Sequence, residues 1–213
     1  MRRILCFGDS NTYGYDPRGG RYDENTRWTK RLDALLGDGW TVVEEGFNGR
    51  TCVMDDPTEG GYKSGANYLP PCLMSHNPLD MVAIMLGGND SKQRFGLSPM
   101  TIGEGVMQLI RLTRLYAADA AGNPSKILLI APPPFREELR RTRYWDVFGP
   151  QALEVTRGLA AEYARVARLL RCEFLDAGAV AKLSEIDALH FTREDHLRLA
   201  EAVCAKVKDA FKD

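Results

Sequence analysis

Four short segments of this chain carry groups that together could perform acyl chemistry. Gly8-Asp9-Ser10-Asn11-Thr12 places a serine hydroxyl in a turn directly after an apolar run. Asp187-Ala188-Leu189-His190 sets a carboxylate and an imidazole three residues apart, a spacing that a single turn can close. In such a pair the carboxylate orients the imidazole and stabilises imidazolium, while the other ring nitrogen accepts a proton from a nucleophilic serine. Gly87-Gly88-Asn89-Asp90 offers glycines that let the backbone approach a ligand closely, and an amide able to donate to a developing negative charge. In Asn48-Gly49-Arg50-Thr51 a glycine N–H can face the same anion, as can the N–H of Ser10 itself.

Each segment also has a plainer reading. Ser10 would serve as the cap of a βα turn, Asn89 or Asp90 as the residue closing an Asx turn, Asn48-Gly49 as an ordinary turn, and His190 as a surface histidine. What favours the chemical reading is their combination: together the segments supply a nucleophile, a base, an orienting acid and oxyanion donors, and each follows an apolar run. The three histidines can be told apart. His196 falls inside a helical pattern behind the capping pair Thr192 and Asp195, and His76 precedes Asn77-Pro78 with no carboxylate before Asp80. His190 sits immediately before a helix start, where the neighbouring helix N-terminus favours the neutral, basic imidazole.

To bring these segments together the chain needs elements that end at one edge. Short β-branched apolar runs at Arg3–Phe7, Thr41–Glu45, Asp80–Leu86, Lys126–Ala131 and Cys172–Leu175 read as strands buried on both faces. Helical spacing predicts helices over Thr26–Leu36, over Pro99–Ala120 and over Pro150–Leu170. A last helix would present Leu197, Ala200, Val203, Cys204, Val207 and Phe211 on one face. The alternation predicts an α/β/α sandwich around a mainly parallel five-stranded sheet in the order 2-1-3-4-5, formed by residues 1–213 as one domain. In such sheets ligands bind beyond the carboxyl ends of the strands. Two stretches, Asn48 to Tyr68 and Pro132 to Gly149, read as long excursions over that edge, and they would also serve as contacts in a homo-oligomer.

Composition narrows the partners. With 28 basic and 29 acidic side chains the formal net charge is -1, which gives no general attraction to nucleic acid or anionic membranes. Five cysteines, with no C-x-x-C pair, suit free thiols in a reducing compartment rather than a disulfide framework or a zinc ribbon. The apolar run after Met1-Arg2-Arg3 is too short for a signal peptide and no stretch suits a membrane span, so a cytoplasmic location is expected. No histidine pair has helical ligand spacing, and phosphate-loop and dinucleotide fingerprints are absent; no metal and no cofactor are expected.

The ordered blocks resemble the SGNH (G-D-S-L) hydrolase superfamily, and within it the small arylesterase and acyltransferase branch. The similarity lies in Arg3-Ile4-Leu5-Cys6-Phe7-Gly8-Asp9-Ser10, Glu44-Glu45-Gly46-Phe47-Asn48-Gly49-Arg50-Thr51, Ile84-Met85-Leu86-Gly87-Gly88-Asn89-Asp90 and Asp187-Ala188-Leu189-His190-Phe191-Thr192. Asp55-Asp56-Pro57-Thr58 and Asn67-Tyr68-Leu69-Pro70 add to it. The resemblance implies a flavodoxin-like fold and a metal-free ester hydrolase. Ser10 would be the nucleophile, His190 the base and Asp187 its partner, with the oxyanion held by the Ser10 and Gly49 N–H groups and the Asn89 side chain. Asn11 replaces the Leu of G-D-S-L, Gly88 occupies a position that varies within the branch, and Phe135 to Phe148 fits least well.

On this reading the chain acts on small acyl esters, passing through an acyl-enzyme that water or an alcohol then attacks. A thioesterase or lysophospholipase activity is the alternative, and a non-catalytic flavodoxin-like binding module the third. Tyr13, Tyr15, Trp145, Leu189 and Phe191, with Tyr144 and Phe148, would wall a small apolar pocket. Arg136, Arg140, Arg141 and Arg143 would either attract an anion or form a solvated face.

Overall fold

Apolar residues on alternating sides of each strand divide the interior into two cores, one on either face of a single sheet. The computed structural model describes residues 1–212. In chain order the elements are β1 (Arg2–Gly8), the single turn α1 (Ser10–Tyr13), α2 (Trp28–Leu36), β2 (Trp40–Gly46), α3 (Gly65–His76), β3 (Met81–Met85) and α4 (Pro99–Tyr116). They are followed by β4 (Lys126–Ala131), α5 (Trp145–Leu170), β5 (Glu173–Asp176) and α6 (Arg193–Ala210). All strand pairs are parallel, in the order β2-β1-β3-β4-β5. This is the sheet order expected from the sequence.

Ile4, Cys6, Met81, Ala83, Leu128 and Ile130 point to one face and pack with Trp28 and Leu32 of α2 and Leu199 and Val203 of α6. Their neighbours Leu5, Phe7, Val82, Ile84, Leu129 and Ala131 point to the other, against α3, α4 and α5. This two-sided burial explains why the strands read as unbroken apolar runs, and it makes the period of two invisible in their hydropathy.

The helices show where local patterning suffices and where it fails. The whole predicted α4 face, from Ile102 through Val106, Leu109, Ile110 and Thr113 to Ala117, is buried. Helix α5 is broken at Gly149, whose φ of 66° and ψ of -179° interrupt it; the uninterrupted part begins at Pro150, as expected. In α6 the buried face runs through His196, Leu199, Ala200, Val203, Cys204 and Val207, so Leu197 and Phe211 are only half-buried. Helix α3 was not expected, because Pro70 and Pro71 stand inside it. Burial of Leu69, Cys72 and Leu73 in the second core, and the Ser64 hydroxyl capping the Asn67 N–H at 3.3 Å, outweigh the missing backbone donors. The first excursion therefore contains the start of a helix rather than loop alone. Among the described residues no helix is long and apolar enough to cross a membrane.

Candidate functional site

Beyond the carboxyl ends of the strands lies a cavity of about 280 Å3, and segments following all five strands line it. Ser10 comes from the turn after β1, Asn48 and Gly49 from that after β2, and Gly88 and Asn89 from that after β3. Pro132, Pro133 and Phe135 follow β4, and Leu183, Leu189 and His190 follow β5.

Ser10 is the first residue of α1, but it does not cap it. The Asp9 carboxylate does so, accepting the Asn11 N–H at 2.9 Å, which leaves the Ser10 hydroxyl available. The turn is so tight that a Cβ on Gly8 would come within 2.0 Å of Thr12 Oγ1 and 2.8 Å of the Met85 carbonyl. Only glycine allows the chain to leave β1 at this angle. Ser10 Oγ lies 2.8 Å from His190 Nε2, and His190 Nδ1 lies 2.6 Å from Asp187 Oδ2. All three side chains are buried. Burial pushes the Asp187 carboxyl up, but the hydrogen bond and charge of His190 and the N–H groups of Leu189 and His190 outweigh it. The carboxyl is held below its ordinary range. An ionised Asp187 can only accept, so Nδ1 carries the proton and Nε2 is free to accept from the serine hydroxyl.

The oxyanion candidates are separately anchored. Gly49 has φ 79°, and a Cβ there would stand 2.7 Å from Glu59 Oε2. Neither the Ser10 nor the Gly49 N–H has a hydrogen-bonded protein acceptor among the described residues. Asn89 Nδ2 donates to the Arg50 carbonyl at 3.2 Å and, at a long 3.4 Å, to Asp9 Oδ2. The Arg50 carbonyl is held in turn. The Arg50 guanidinium donates to the carbonyls of Gly8, at 2.9 Å, and Glu45. The buried Asp90 carboxylate accepts the Cys52 N–H with both oxygens, at 2.9 and 3.0 Å. Burial raises the Asp90 pKa to about 6.

Asn11 contributes something the sequence did not suggest. Its Nδ2 donates to the Leu189 carbonyl at 3.0 Å and its Oδ1 accepts the Phe191 N–H at 3.1 Å. One amide thus grips the backbone on both sides of His190, from the residue next to Ser10. The departure from G-D-S-L bears on the histidine loop. A leucine could make neither bond.

The pocket walls differ in character. Phe135, Val147, Phe148, Leu183 and Leu189 form an apolar side, with Tyr15 and Tyr144 over the imidazole at ring-centre distances of 4.5 and 6.4 Å. Glu59, Lys63 and Lys92 form a polar side. Lys92 is almost wholly buried, 2.9 Å from Asp56 and 2.7 Å from Glu59. Nothing local signals this pairing, because 36 residues separate Asp56 from Lys92.

Of the expected wall residues, Tyr15 and Leu189 line the pocket, as do Tyr144 and Phe148. Tyr13, Trp145 and Phe191 do not. Tyr13 turns away under the Arg21 guanidinium, Trp145 packs beside the first core with Arg140 over its ring, and Phe191 is fully buried against His196. The segment from Ala188, at φ 64°, to His190 is a bend rather than an extended strand, so Leu189 and Phe191 do not share a face. The arginines expected near the rim do not line this cavity. Arg136 and Arg140 are paired with glutamates, and Arg143 donates to the Tyr144 hydroxyl.

A five-stranded parallel sheet flanked by helices, with a serine, a histidine and an aspartate hydrogen-bonded in a row at its carboxyl edge, is a three-layer α/β/α fold of flavodoxin topology carrying a hydrolase-type site. The chain belongs to the GDSL-like lipase/acylhydrolase family, whose sequence profile matches residues 6–199. The structure is similar to a carbohydrate acetylesterase of Sinorhizobium meliloti, at 36% identity over 99% of this chain and 100% of that one, with a TM-score of 0.92. It is also similar to the inhibitor-bound form of an aryl esterase of M. smegmatis, at 35% identity over 98% and 99% of the chains, with a TM-score of 0.91. The chain matches no curated protein sequence.

Proposed function

We propose that this member of an ester-hydrolysing family cleaves esters of acetyl-sized acyl groups through an acyl-enzyme on Ser10, and passes the acyl group to alcohols as well as to water. The observation that carries this reading is the continuous row from Ser10 through His190 to Asp187, whose first two members line a cavity of about 280 Å3. That volume lies at the bottom of the range for small-molecule sites, which suits a short acyl chain.

The Ser10 hydroxyl attacks the acyl carbon as its proton passes to His190 Nε2, and ionised Asp187 stabilises the imidazolium. The carbonyl oxygen becomes an oxyanion facing the N–H groups of Ser10 and Gly49 and the Asn89 amide. Collapse expels the alcohol, which takes its proton from His190, and leaves the acyl group on Ser10. Water or a second alcohol then gives its proton to His190 and attacks the acyl carbon, releasing the acid or a new ester and restoring the serine. The apolar wall formed by Phe135, Val147, Phe148 and Leu189 gives an alcohol's hydrocarbon part a surface that water cannot exploit.

The assay supplies vinyl acetate with benzyl alcohol in water and measures benzyl acetate against acetic acid, beside p-nitrophenyl esters from acetyl to palmitoyl. Acetate should be the best acyl group, and benzyl acetate should rise with alcohol concentration. Hydrolysis alone at every alcohol concentration would defeat the transfer claim, and faster turnover of long chains would defeat the acetyl preference.

A further inference from the structure

Outside the pocket, three metal-ligating side chains converge where β2 meets α3. Glu45 is the penultimate residue of β2. Cys72 and His76, four residues apart, share one face of α3. His76 Nε2 lies 2.9 Å from Glu45 Oε1, and one ligand atom from each of the three residues falls within 4.8 Å of the others. Cys72 is buried, Glu45 and His76 are half-buried, and none of the three lines the cavity around Ser10. The chemistry assigned to that cavity leaves them without a role.

A thiolate, an imidazole and a carboxylate are the donor set of a borderline divalent ion rather than of Mg2+ or Ca2+, which take oxygen ligands. Metal–ligand bonds of about 2.0–2.3 Å place neighbouring ligand atoms of a tetrahedral Zn2+ site roughly 3.3–3.8 Å apart. Closing the present cluster to that size takes about 1 Å of side-chain movement, and Glu45 and His76 are both partly exposed. We propose that Glu45, Cys72 and His76 form a binding site for Zn2+ or a similar borderline divalent ion, with water as the fourth ligand on the exposed side of His76.

The charges balance. Burial, then Glu45, push the Cys72 thiol up to about 12, so the thiol enters with its proton on. The ion displaces that proton to solvent. A dipositive ion then sits between one thiolate and one carboxylate, with His76 contributing the neutral Nε2 lone pair. The nearby Arg50 guanidinium, bonded to the carbonyls of Gly8 and Glu45, limits the affinity but favours the thiolate. Such an ion would tie α3 to β2, which leads into the turn of Asn48 and Gly49, bracing the base of that turn.

The test uses the full, untagged chain, reduced and stripped with a chelator, and titrates it with Co2+ as a spectroscopic probe. One equivalent should bind, with a thiolate charge-transfer band in the near ultraviolet, visible bands of a tetrahedral ion, and release of about one proton. Zn2+ should abolish the bands by displacement and raise the Tm by roughly 5–11 °C at a hundredfold excess over its Kd. Cys72→Ser should lose the charge-transfer band. His76→Gln, at a half-exposed position that tolerates change, should weaken binding at least tenfold. Absence of saturable binding, or bands that persist in both variants, would overturn the proposal; the second result would place the ion on another cysteine such as Cys172.

Discussion

Replacing Asn11 by leucine separates the proposed positioning of His190 from simple packing. The two side chains have the same branching and number of heavy atoms, so no cavity arises, but both amide bonds vanish. The buried Leu189 carbonyl and Phe191 N–H, held at 3.0 and 3.1 Å, lose their partners. Each orphaned buried group costs about 1–3 kcal/mol, so the fold should lose roughly 2–6 kcal/mol. At about 2–4 °C per kcal/mol for a chain of this size, the Tm should fall by roughly 4–24 °C. The loop that carries His190 would also be released on both sides of the imidazole. A displacement of about 1 Å there can cost on the order of a hundredfold in rate. The expected result is therefore a kcat for p-nitrophenyl acetate reduced about a hundredfold well below the variant's Tm, with KM changed far less. Denaturant unfolding and steady-state kinetics on the same preparation give both numbers. A lower Tm with wild-type kcat would refute the positioning argument and leave Asn11 a structural residue.

Asn89→Ala should lower kcat by roughly 10²–10³-fold, about 2.7–4 kcal/mol, with a smaller effect on KM; a change in KM alone would assign the amide to ground-state binding. Gly88→Ala should fold normally, because its φ of -60° suits any residue and the added Cβ would stand 3.6 Å from the Phe135 ring. The narrower pocket should reduce kcat/KM for butyrate relative to acetate roughly tenfold, and an unchanged ratio would remove Gly88 from the acyl wall. His196 is held neutral by burial, its pKa lowered to about 3, with Nδ1 accepting the Trp28 N–H and Nε2 unpartnered. Unfolded, it titrates near its ordinary value of about 6.5, so below that pH the unfolded chain binds a proton that the folded chain refuses. Its contribution is intact above about pH 6.5, and stability falls as pH drops, by about 2 kcal/mol between pH 7 and 5. Urea unfolding at the two pH values should show that loss diminished by about this amount in His196→Leu, and an equal loss in both proteins would contradict it.

What could be read from the sequence was what local patterning encodes. Two-sided strands announce themselves as apolar runs, and the α4 stripe from Ile102 to Ala117 is continuous enough to define its face. The residues that meet at the cavity could be named because each follows a strand, and strand ends in a parallel sheet share one edge. Long-range pairings could not be read. The Asn11 clamp spans 178 residues to Leu189, and the buried Lys92–Asp56 pair joins two unrelated turns. Helix α3 was hidden by its prolines, and with it the meeting of Cys72 and His76 with Glu45. The pocket-wall expectations at Tyr13, Trp145 and Phe191 failed because a position beside Ser10 or His190, or in the second excursion, says nothing about which way an aromatic ring turns.

Whether Ser10 is the nucleophile of this hydrolase is decided by covalent capture. A fluorophosphonate reacts with a serine only where a base activates the hydroxyl and an oxyanion site holds the product. Intact-mass analysis should show one adduct per chain, formed in step with loss of p-nitrophenyl acetate hydrolysis, and peptide mapping should place it on Ser10. An enzyme that is fully active yet unlabelled, or whose inactivating adduct lies on another residue, would contradict the account.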